Sequence, residues 1–247
     1  MEVFGPLPLP LDSSPVSDRE AESAGLTGQA SRPRSVLVWD LPTRLFHWMI
    51  VVLVAGAYLT ERLNWMHWHV RIGESLLALV IFRLLWGWAG SETARFRSFL
   101  ASPAAALRHL RRMVRHEPDS QVGHNPAGGW MVLFLLALLL GEALTGIYVN
   151  NDIANQGPLT DWVPASVANG IMDLHSLLWD VLLAAVALHV AVIVLYAARG
   201  DNLLGPMLTG RKRLPPGIPA PRRAPVWFAL VLLAGGAIIA ALLLRYL

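Results

Sequence analysis

The sequence contains no cysteine among its 247 residues. The chain therefore forms no disulfide, no cysteine-ligated iron–sulfur cluster and no haem attached covalently through cysteine. Any redox cofactor that it binds by itself must use other side chains, and the eight histidines are the obvious candidates. Charged residues are also scarce, at 15% against about 25% in soluble domains.

Hydrophobic residues make up 55% of the chain, and the mean hydropathy is +0.48. A soluble protein of this length cannot bury so much apolar surface, so we expect the chain to lie in a lipid bilayer. Many of the ten tryptophans stand near the ends of apolar runs, as is typical of rings at membrane interfaces. The sequence pI near 9.8 does not indicate nucleic-acid binding, because the basic residues segregate by membrane topology.

Five apolar stretches are long enough to cross about 30 Å of hydrocarbon. They run from about residue 45 to 63, 69 to 89, 127 to 149, 170 to 198 and 226 to 244. Pro42 and Pro126 fit first helical turns, and Asn125 can cap the third helix. The N-terminal segment lacks the pattern of a secretory signal, so we expect residues 1–34, rich in Pro, Ser and Gly, to form a disordered cytoplasmic leader.

The basic residues predict the orientation of these stretches. Six arginines lie between the second and third stretches, and six basic residues lie between the fourth and fifth. The opposite connections carry few charges: Glu61, Arg62, Asp152 and Asp161. Because positively charged connections stay in the cytoplasm, we expect a cytoplasmic N-terminus and a periplasmic C-terminus.

Four histidines occupy matching depths in these stretches. His47 lies near the start of the first stretch and His69 near the start of the second, which places them at opposite faces of the membrane. His175 and His189 both lie in the fourth stretch, fourteen residues apart. That spacing comes within about 40° of four full helical turns, so both rings leave one helix face, about 21 Å apart along the axis.

These depths determine which histidines can meet. His189 can meet only His47, at the cytoplasmic end, and His175 can meet only His69, at the external end. Two facing imidazoles supply both axial ligands of a six-coordinate haem iron, and without partners such rings would be costly at these depths. A single histidine would more simply bond a helix carbonyl, and imidazole also suits zinc, but structural zinc sites collect four close ligands. Two separate pairs therefore predict two b-type haems. His67 points about 200° away from His69 and is the weaker candidate.

Five segments of the chain carry a family resemblance: VWDLPTRLFHW, HVRIGESLLALVIFRLLWGWAGS, GHNPAGGWMVLFLLALL, HSLLWDVLLAAVALHV and MLTGRKR. They resemble the prokaryotic di-haem cytochrome b family, which includes bacterial cytochrome b-561 proteins and the b-type subunit of nickel–iron hydrogenases. The resemblance covers roughly residues 36–213. It implies an all-α membrane protein with a four-helix bundle, here residues 35–213, that binds two haems and moves electrons between quinone and a redox partner. We expect residues 214–247 to add a linker and a fifth C-terminal transmembrane helix.

The resemblance also implies the ligands, because the family's ligand histidines fall on His47, His69, His175 and His189. Gly73 follows His69 by four residues and lies on nearly the same face, where a missing side chain lets a flat macrocycle approach the backbone. Ordinary packing of small residues between membrane helices is the other interpretation of this glycine.

Three arginines and one further histidine are candidate haem-binding residues outside the ligand set. Arg83 shares a face and a depth with the inner haem site, where a propionate would be a good bidentate partner. Snorkelling to the cytoplasmic interface is the alternative. Arg44 and Arg71 lie within a turn of a proposed ligand, and His124, before the third helix, is placed to contact a propionate or a quinone head group.

Three acidic residues lie in the outer halves of the helices: Glu74, Glu142 and Asp180. Glu142 and Asp180 depart from the family pattern, in which apolar or neutral residues are expected. Ionisable groups inside a membrane are often functional, and these could carry protons beside a quinone. Pairing with Arg71, or with each other, is the alternative.

No flavin, nucleotide or iron–sulfur motif is present, so substrate oxidation would need another subunit or quinone. We predict transmembrane electron transfer in the bacterial inner membrane, as part of a respiratory chain. The expected partners are the quinone pool and a redox protein, such as cytochrome c or a dehydrogenase or hydrogenase subunit. The second interpretation is a non-catalytic membrane anchor or assembly subunit. A transporter is disfavoured, because the sequence lacks an inverted repeat and a pair of Gly/Pro-broken helices.

Overall fold

The computed structural model describes residues 1, 34–115, 122–151, 155–156, 159, 162–215 and 217–246. In chain order the elements are β1 (Arg34–Leu37), α1 (Leu41–Arg62), α2 (Met66–Ala89), a 3-10 turn (Glu92–Ala94), α3 (Phe96–Phe99), α4 (Pro103–Val114), α5 (Pro126–Gly146), β2 (Asn150–Asn151), β3 (Asn155–Gln156), α6 (Ala165–Ala198), α7 (Leu204–Thr209), β4 (Arg211–Leu214) and α8 (Val226–Tyr246). Apart from its two end residues, the expected leader lies outside the described residues, as do Asp152 and Asp161.

Five of these helices have the length and apolar composition to span a membrane: α1, α2, α5, α6 and α8. Many of their large apolar side chains face outward, including Val52, Leu183 and Leu230, which suits contact with lipid hydrocarbon. The expected all-α membrane fold with five spans is therefore confirmed. Each expected apolar stretch overlaps its helix, and α6 begins five residues earlier than the sequence predicted.

Two spanning helices begin with the side-chain caps that their sequences allow. The Asn125 side chain accepts a hydrogen bond from the Gly128 N–H at 2.7 Å, with Pro126 in the first turn of α5. Asp40 caps α1 in the same way, accepting from the Thr43 N–H at 2.8 Å. Pro42 follows in the first turn of α1, where a missing N–H leaves no bond unmade. The two prolines and the Asn125 cap confirm the sequence prediction, and the Asp40 cap is an addition to it.

The middle of the bundle is an apolar core shared by α2, α5 and α6. Its buried residues are Val80, Leu138, Leu139, Leu182 and Ala185. Val80 has no exposed surface, and Ile50 and Val54 bring α1 against the same cluster. Among neighbouring helices, α1 packs on α2, α2 on α5, and α5 on α6. This layer of side chains fills the bundle at the level of its mid-depth.

The fifth spanning helix packs along α2. A Cβ added to Gly236 would lie 3.0 Å from the Ala78 carbonyl oxygen and from the Phe82 nitrogen, so the two backbones approach closely at this glycine. Before α8, the Glu92 N–H donates to the Arg222 carbonyl at 2.9 Å, and the Arg222 N–H donates back to the Glu92 carboxylate at 2.8 Å. Two hydrogen bonds between Glu92 and Arg222 therefore hold the segment before α8, and apolar packing on α2 holds the helix itself.

The segment after α7 is attached to the start of α1. The Gly210 carbonyl accepts hydrogen bonds from the N–H groups of Val38 and Trp39, at 2.8 and 3.1 Å. The Arg44 guanidinium donates to the Leu208 carbonyl at 2.5 Å. These bonds join two segments that are distant in sequence, and they orient the first turns of α1.

The chain divides into two compact units. The helical bundle belongs to the unit formed by Val36–Lys212 and Ala220–Leu247. The other unit comprises Met1–Ser35 and Arg213–Pro219, and within it Arg34 donates to the Ile218 carbonyl at 2.6 Å. Strands β2 and β3 pair antiparallel, with Asn150 opposite Gln156, and β1 and β4 form the second two-stranded sheet.

Candidate functional site

Helix α6 carries two half-buried histidines on either side of the apolar core. His175 and His189 both lie in this 34-residue helix. Leu182 and Ala185, which stand between them in sequence, are buried in the mid-depth core. The two imidazoles are therefore separated by a layer of hydrocarbon side chains, and each one belongs to its own end of the bundle.

At one end the ring of His175 meets the ring of His69. Their centroids are 6.5 Å apart, and the ring planes are nearly perpendicular, at 84°. An imidazole nitrogen binds a metal at about 2 Å, so two rings that share one ion have centres about 6 Å apart. The observed separation therefore fits a single metal ion between the two imidazoles.

The Nδ1 nitrogen of each of these two rings lies against hydrogen-bond acceptors. The His69 Nδ1 lies 2.9 Å from the Ala57 carbonyl oxygen, to which it donates. The His175 Nδ1 lies 2.9 Å from the Glu142 carboxylate and 2.9 Å from the Thr145 hydroxyl. Histidine ligands of metals commonly donate their second nitrogen to a carbonyl or carboxylate in this way, which leaves Nε2 for the metal.

At the other end, His47 and His189 are half-buried and close enough to interact electrostatically. Within the described part of the chain, the buried His47 Nδ1 has no hydrogen-bond partner. An imidazole nitrogen without a partner at this depth is costly, because no water compensates it. The two histidines that the sequence predicts to pair at this end are therefore brought into one region.

Arg83 lies at the same end and is almost completely buried, with 2% of its surface exposed. Its guanidinium carbon is 5.3 Å from the centre of the Phe96 ring, and the guanidinium interacts electrostatically with Asp40. Its Nη1 has no hydrogen-bond acceptor among the described residues. A buried guanidinium with a free donor fits a carboxylate such as a haem propionate, whereas a snorkelling arginine would place its head group in water.

His124 lies just before α5, between two aromatic rings. Its ring centroid is 4.5 Å from that of Trp39 and 4.6 Å from that of Phe99. Burial lowers the pKa of His124 to about 3, and the positive charge of Arg83 and the nearby His189 and His47 act in the same direction. His124 is therefore a neutral ring, and its buried Nδ1 is unpartnered among the described atoms.

The remaining sequence candidates have contacts of several kinds. Arg44 donates to the Leu208 carbonyl, while its buried Nε is unpartnered within the described chain. Arg71 forms an ion pair with Glu74 at 3.1 Å, and 62% of its side chain is exposed. A Cβ added to Gly73 would meet nothing within 4 Å, so the helix surface is open there. Of the acidic residues, Glu74 has the pairing with Arg71 that the sequence offered as one alternative.

Three further polar residues belong to this site. Thr145 and Asp40 lie outside the sequence prediction, whereas the sequence named Glu142 only as a proton carrier beside a quinone or as a partner of another charged residue. Thr145 and Glu142 both contact His175, and Asp40 accepts from the Trp86 indole N–H at 3.2 Å. The signal for the first two is their spacing, because residues three apart on a helix share a face. The signal for Asp40 is its place before Leu-Pro, which is typical of a helix cap.

The donor set fits haem better than a bare metal ion. Within the residues that the structure describes, no three His, Cys, Asp or Glu side chains form a group able to hold a metal. Structural zinc sites need four ligands, whereas haem requires only axial ligands from the protein, because the porphyrin fills the other positions. The paired imidazoles, their backing acceptors and the unpartnered guanidinium together match that requirement.

Comparisons with known proteins identify the family of the chain. The family profile of prokaryotic cytochrome b561 matches residues 38–210, a range that contains all four histidines of the two pairs. A relative from Rhodobacter capsulatus, described as a probable Ni/Fe-hydrogenase B-type cytochrome subunit, is 25% identical over an alignment that covers 76% of this chain and 86% of that protein. The chain is a member of the prokaryotic cytochrome b561 family.

Proposed function

We propose that the chain carries electrons across the membrane through two b-type haems, between the quinone pool and a redox protein partner. The coarser part of this function follows from the family: a multi-pass membrane protein that binds b-type haem and transfers electrons. The number of haems, their ligands and the partners are the proposal. In this proposal the di-haem bundle comprises residues 35–213, the segment 1–34 is a cytoplasmic leader, and residues 214–247 add a linker and the fifth span.

One observation carries the proposal: α6 presents His175 and His189 on opposite sides of the mid-depth core, and each has a histidine of another helix near it. His175 has the ring of His69 at 6.5 Å, and His189 interacts electrostatically with His47. Two sites stacked along one bundle divide the membrane into two shorter electron-transfer distances. A single site could not connect both surfaces in this way.

The chain's residues have distinct roles in this proposal. His69 and His175 bind one haem, and His47 and His189 bind the other. A bound haem supplies the one-electron chemistry, and the protein supplies the axial ligands, the surrounding charge and the exclusion of water. Arg83 neutralises a propionate at the inner site. The mid-depth core keeps water and ions out of the space between the sites.

The basic connections support a cytoplasmic N-terminus and a periplasmic C-terminus in the bacterial inner membrane. They include α4, whose last turn carries Arg111 and Arg112. The description of the Rhodobacter capsulatus relative supports a hydrogenase or another dehydrogenase as the class of redox partner. A cytochrome c is the other partner class compatible with the sequence.

The test is a reduced-minus-oxidised absorption spectrum of the purified protein, combined with haem quantitation per polypeptide. We expect b-type bands and about two haems per chain. One haem per chain would overturn the two-site proposal while leaving electron transfer in place. A correctly folded but colourless protein would overturn the proposal altogether and favour the alternative, a membrane anchor or assembly subunit.

A further inference from the structure

Glu142 is an acidic residue in an otherwise apolar membrane helix. The segment around it, LLALLLGEALTG, contains no other ionisable side chain, and only 13% of the Glu142 side chain is exposed. A carboxylate in hydrocarbon is unfavourable unless another group compensates its charge. The contacts of Glu142 therefore indicate which group compensates its charge.

The contact that compensates Glu142 is the imidazole of His175. The Glu142 Oε2 lies 2.9 Å from the His175 Nδ1, and the Thr145 hydroxyl, one turn further along α5, lies 2.9 Å from the same nitrogen. The His175 ring also lies close to the backbone of α5 at Gly146, because a Cβ added to this glycine would be only 3.3 Å from the ring. The end of α5 thus contacts the edge of the imidazole that carries Nδ1.

The Glu142 carboxylate and the Thr145 hydroxyl determine the tautomer of His175. A carboxylate is only an acceptor, and the Thr145 hydroxyl donates its single hydrogen to the Gly141 carbonyl at 2.7 Å. Both groups can therefore only accept from the imidazole, so Nδ1 carries the proton. The lone pair is then on Nε2, the nitrogen on the opposite edge of the ring, which is available to bind a metal.

The four proposed ligands differ in what lies behind them. His69 donates to a neutral carbonyl, that of Ala57. The Nδ1 of His47 has no hydrogen-bond partner within the described residues. Only His175 has a carboxylate among the contacts described for these rings. A negatively charged acceptor draws the Nδ1 proton toward itself and makes Nε2 a stronger electron donor than a carbonyl does.

We propose that Glu142 is a positioning residue that fixes the Nδ1–H tautomer of His175 and lowers the reduction potential of the site formed by His69 and His175. This inference rests on the proposed function, in which His175 is a haem ligand. Stronger donation from Nε2 and the nearby negative charge both stabilise the oxidised, more positive iron over the reduced iron. Glu142 therefore makes the potential of this site lower than a neutral partner would.

The test is a potentiometric titration of purified, haem-loaded variants. Glu142→Gln keeps the shape and an acceptor oxygen but removes the charge, and we expect it to raise one midpoint potential and leave the other unchanged. Thr145→Val removes the neutral acceptor and keeps the carboxylate, so its shift should be smaller. Glu74→Gln is the matched control, since it removes an acidic group whose partner is the exposed Arg71, and it should shift neither midpoint.

The affected component is identified with His175→Ala, because the midpoint that Glu142→Gln raises must be the one missing from that variant. Loss of this haem in Glu142→Gln but not in Thr145→Val would also support the positioning role. If Glu142→Gln keeps both haems and both midpoints, the inference is wrong, while the proposed function stands. If His175→Ala keeps two intact haems, the ligand assignment is wrong and the inference falls with it, while electron transfer through two haems stands with other ligands.

Discussion

The imidazole rings of His69 and His175 lie 6.5 Å apart, although His69 stands in the first turn of α2 and His175 in the third turn of α6. Each ring is fixed by a bond behind it, to the Ala57 carbonyl of α1 or to side chains of α5. Four helices therefore contribute to one pair of rings. Their separation depends on the assembly of the whole bundle.

The first prediction separates the two sites. His175→Ala should reduce haem content from about two to about one per chain and remove one component of the redox titration. His189→Ala should remove the other component, because the two histidines are about 21 Å apart along α6. Haem quantitation combined with redox titration measures both effects.

His67→Ala is the control for His69→Ala. His67 lies two residues from His69, is exposed and contacts Trp68. We expect His69→Ala to behave as His175→Ala does, and His67→Ala to retain both haems. Equal loss of haem in the two variants would contradict the choice of His69 as the ligand.

The second prediction concerns the charge at the inner site. The buried positive charge of Arg83 favours the added electron, so Arg83→Leu should lower the midpoint potential of the inner haem. The expected shift is of the order of 60 mV, which is a tenfold change in the equilibrium constant of a one-electron couple. Arg83→Lys should shift the potential less, because the charge remains although the bidentate geometry is lost.

Arg71→Leu serves as the control for Arg83, because it also removes an arginine but one that is 62% exposed at the side chain and paired with Glu74. Water screens an exposed charge, so neither midpoint should move appreciably. Unchanged midpoints in Arg83→Leu, with both haems bound, would show that this arginine has no redox role.

The sequence predicted those features that depend on one helix at a time. Apolar length gave the five spans, one of which is the continuous helix that carries both His175 and His189, and proline and asparagine marked helix starts. The close pair of Arg71 and Glu74 follows from their i, i+3 spacing in the same way. Periodicity and capping are local rules, so no partner helix is needed to apply them.

Features that depend on two helices were only partly predictable. The pairing of His175 with His69 followed from depth alone, but the contact with Glu142 needed the rotation of α5, which depth leaves open. In the same way, the indole of Trp86 reaches Asp40 across 46 positions of sequence. Rotation and crossing angle are set by side-chain packing between helices, and a single sequence does not express that packing as a pattern.

The third prediction concerns pH. The pKa of His124 is lowered to about 3, below its unfolded value of about 6.5. The folded protein therefore holds this ring neutral. Above about pH 6.5 the ring is neutral in the unfolded state as well, so His124 causes no loss of stability there. Stability should fall as the pH decreases from about 6.5 toward 3, because the unfolded state takes up the proton first. Thermal unfolding followed by circular dichroism over this range measures the effect.

His124→Gln should flatten this pH dependence, because glutamine does not titrate. The comparison is between slopes of stability against pH rather than absolute stabilities, since the substitution also changes the contacts with Trp39 and Phe99. An identical slope in the variant and the original protein would show that other groups produce the acid sensitivity.

The fourth prediction concerns topology. Reporter fusions after α8 should have periplasmic activity, and fusions in the connection between α2 and α5 should have cytoplasmic activity. The arginines of α4 lie in that connection. A cytoplasmic reporter signal after α8, with the other fusion unchanged, would mean that Val226–Tyr246 does not cross the membrane.

The last prediction tests the attachment between α7 and the start of α1. Gly210 has φ of +81°, a conformation that costs a residue with a Cβ about 1–2 kcal/mol. An added Cβ would also lie 2.7 Å from the Trp39 carbonyl oxygen and 2.8 Å from Leu37. Gly200 has a similar φ of +91° but nothing within 4 Å of such a Cβ. Both Gly→Ala variants should therefore be destabilised by the cost of a positive φ. Gly210→Ala should be destabilised further, by the clash and by weakened hydrogen bonds to Val38 and Trp39. Thermal unfolding of the two purified variants measures the difference.

Because Asp40 and Arg44 follow in the same segment, Gly210→Ala should also disturb the haem nearest His47, and Gly200→Ala should leave its spectrum unchanged. Equal destabilisation by the two substitutions would show that the approach to Trp39 relaxes without cost and that this attachment does not orient α1.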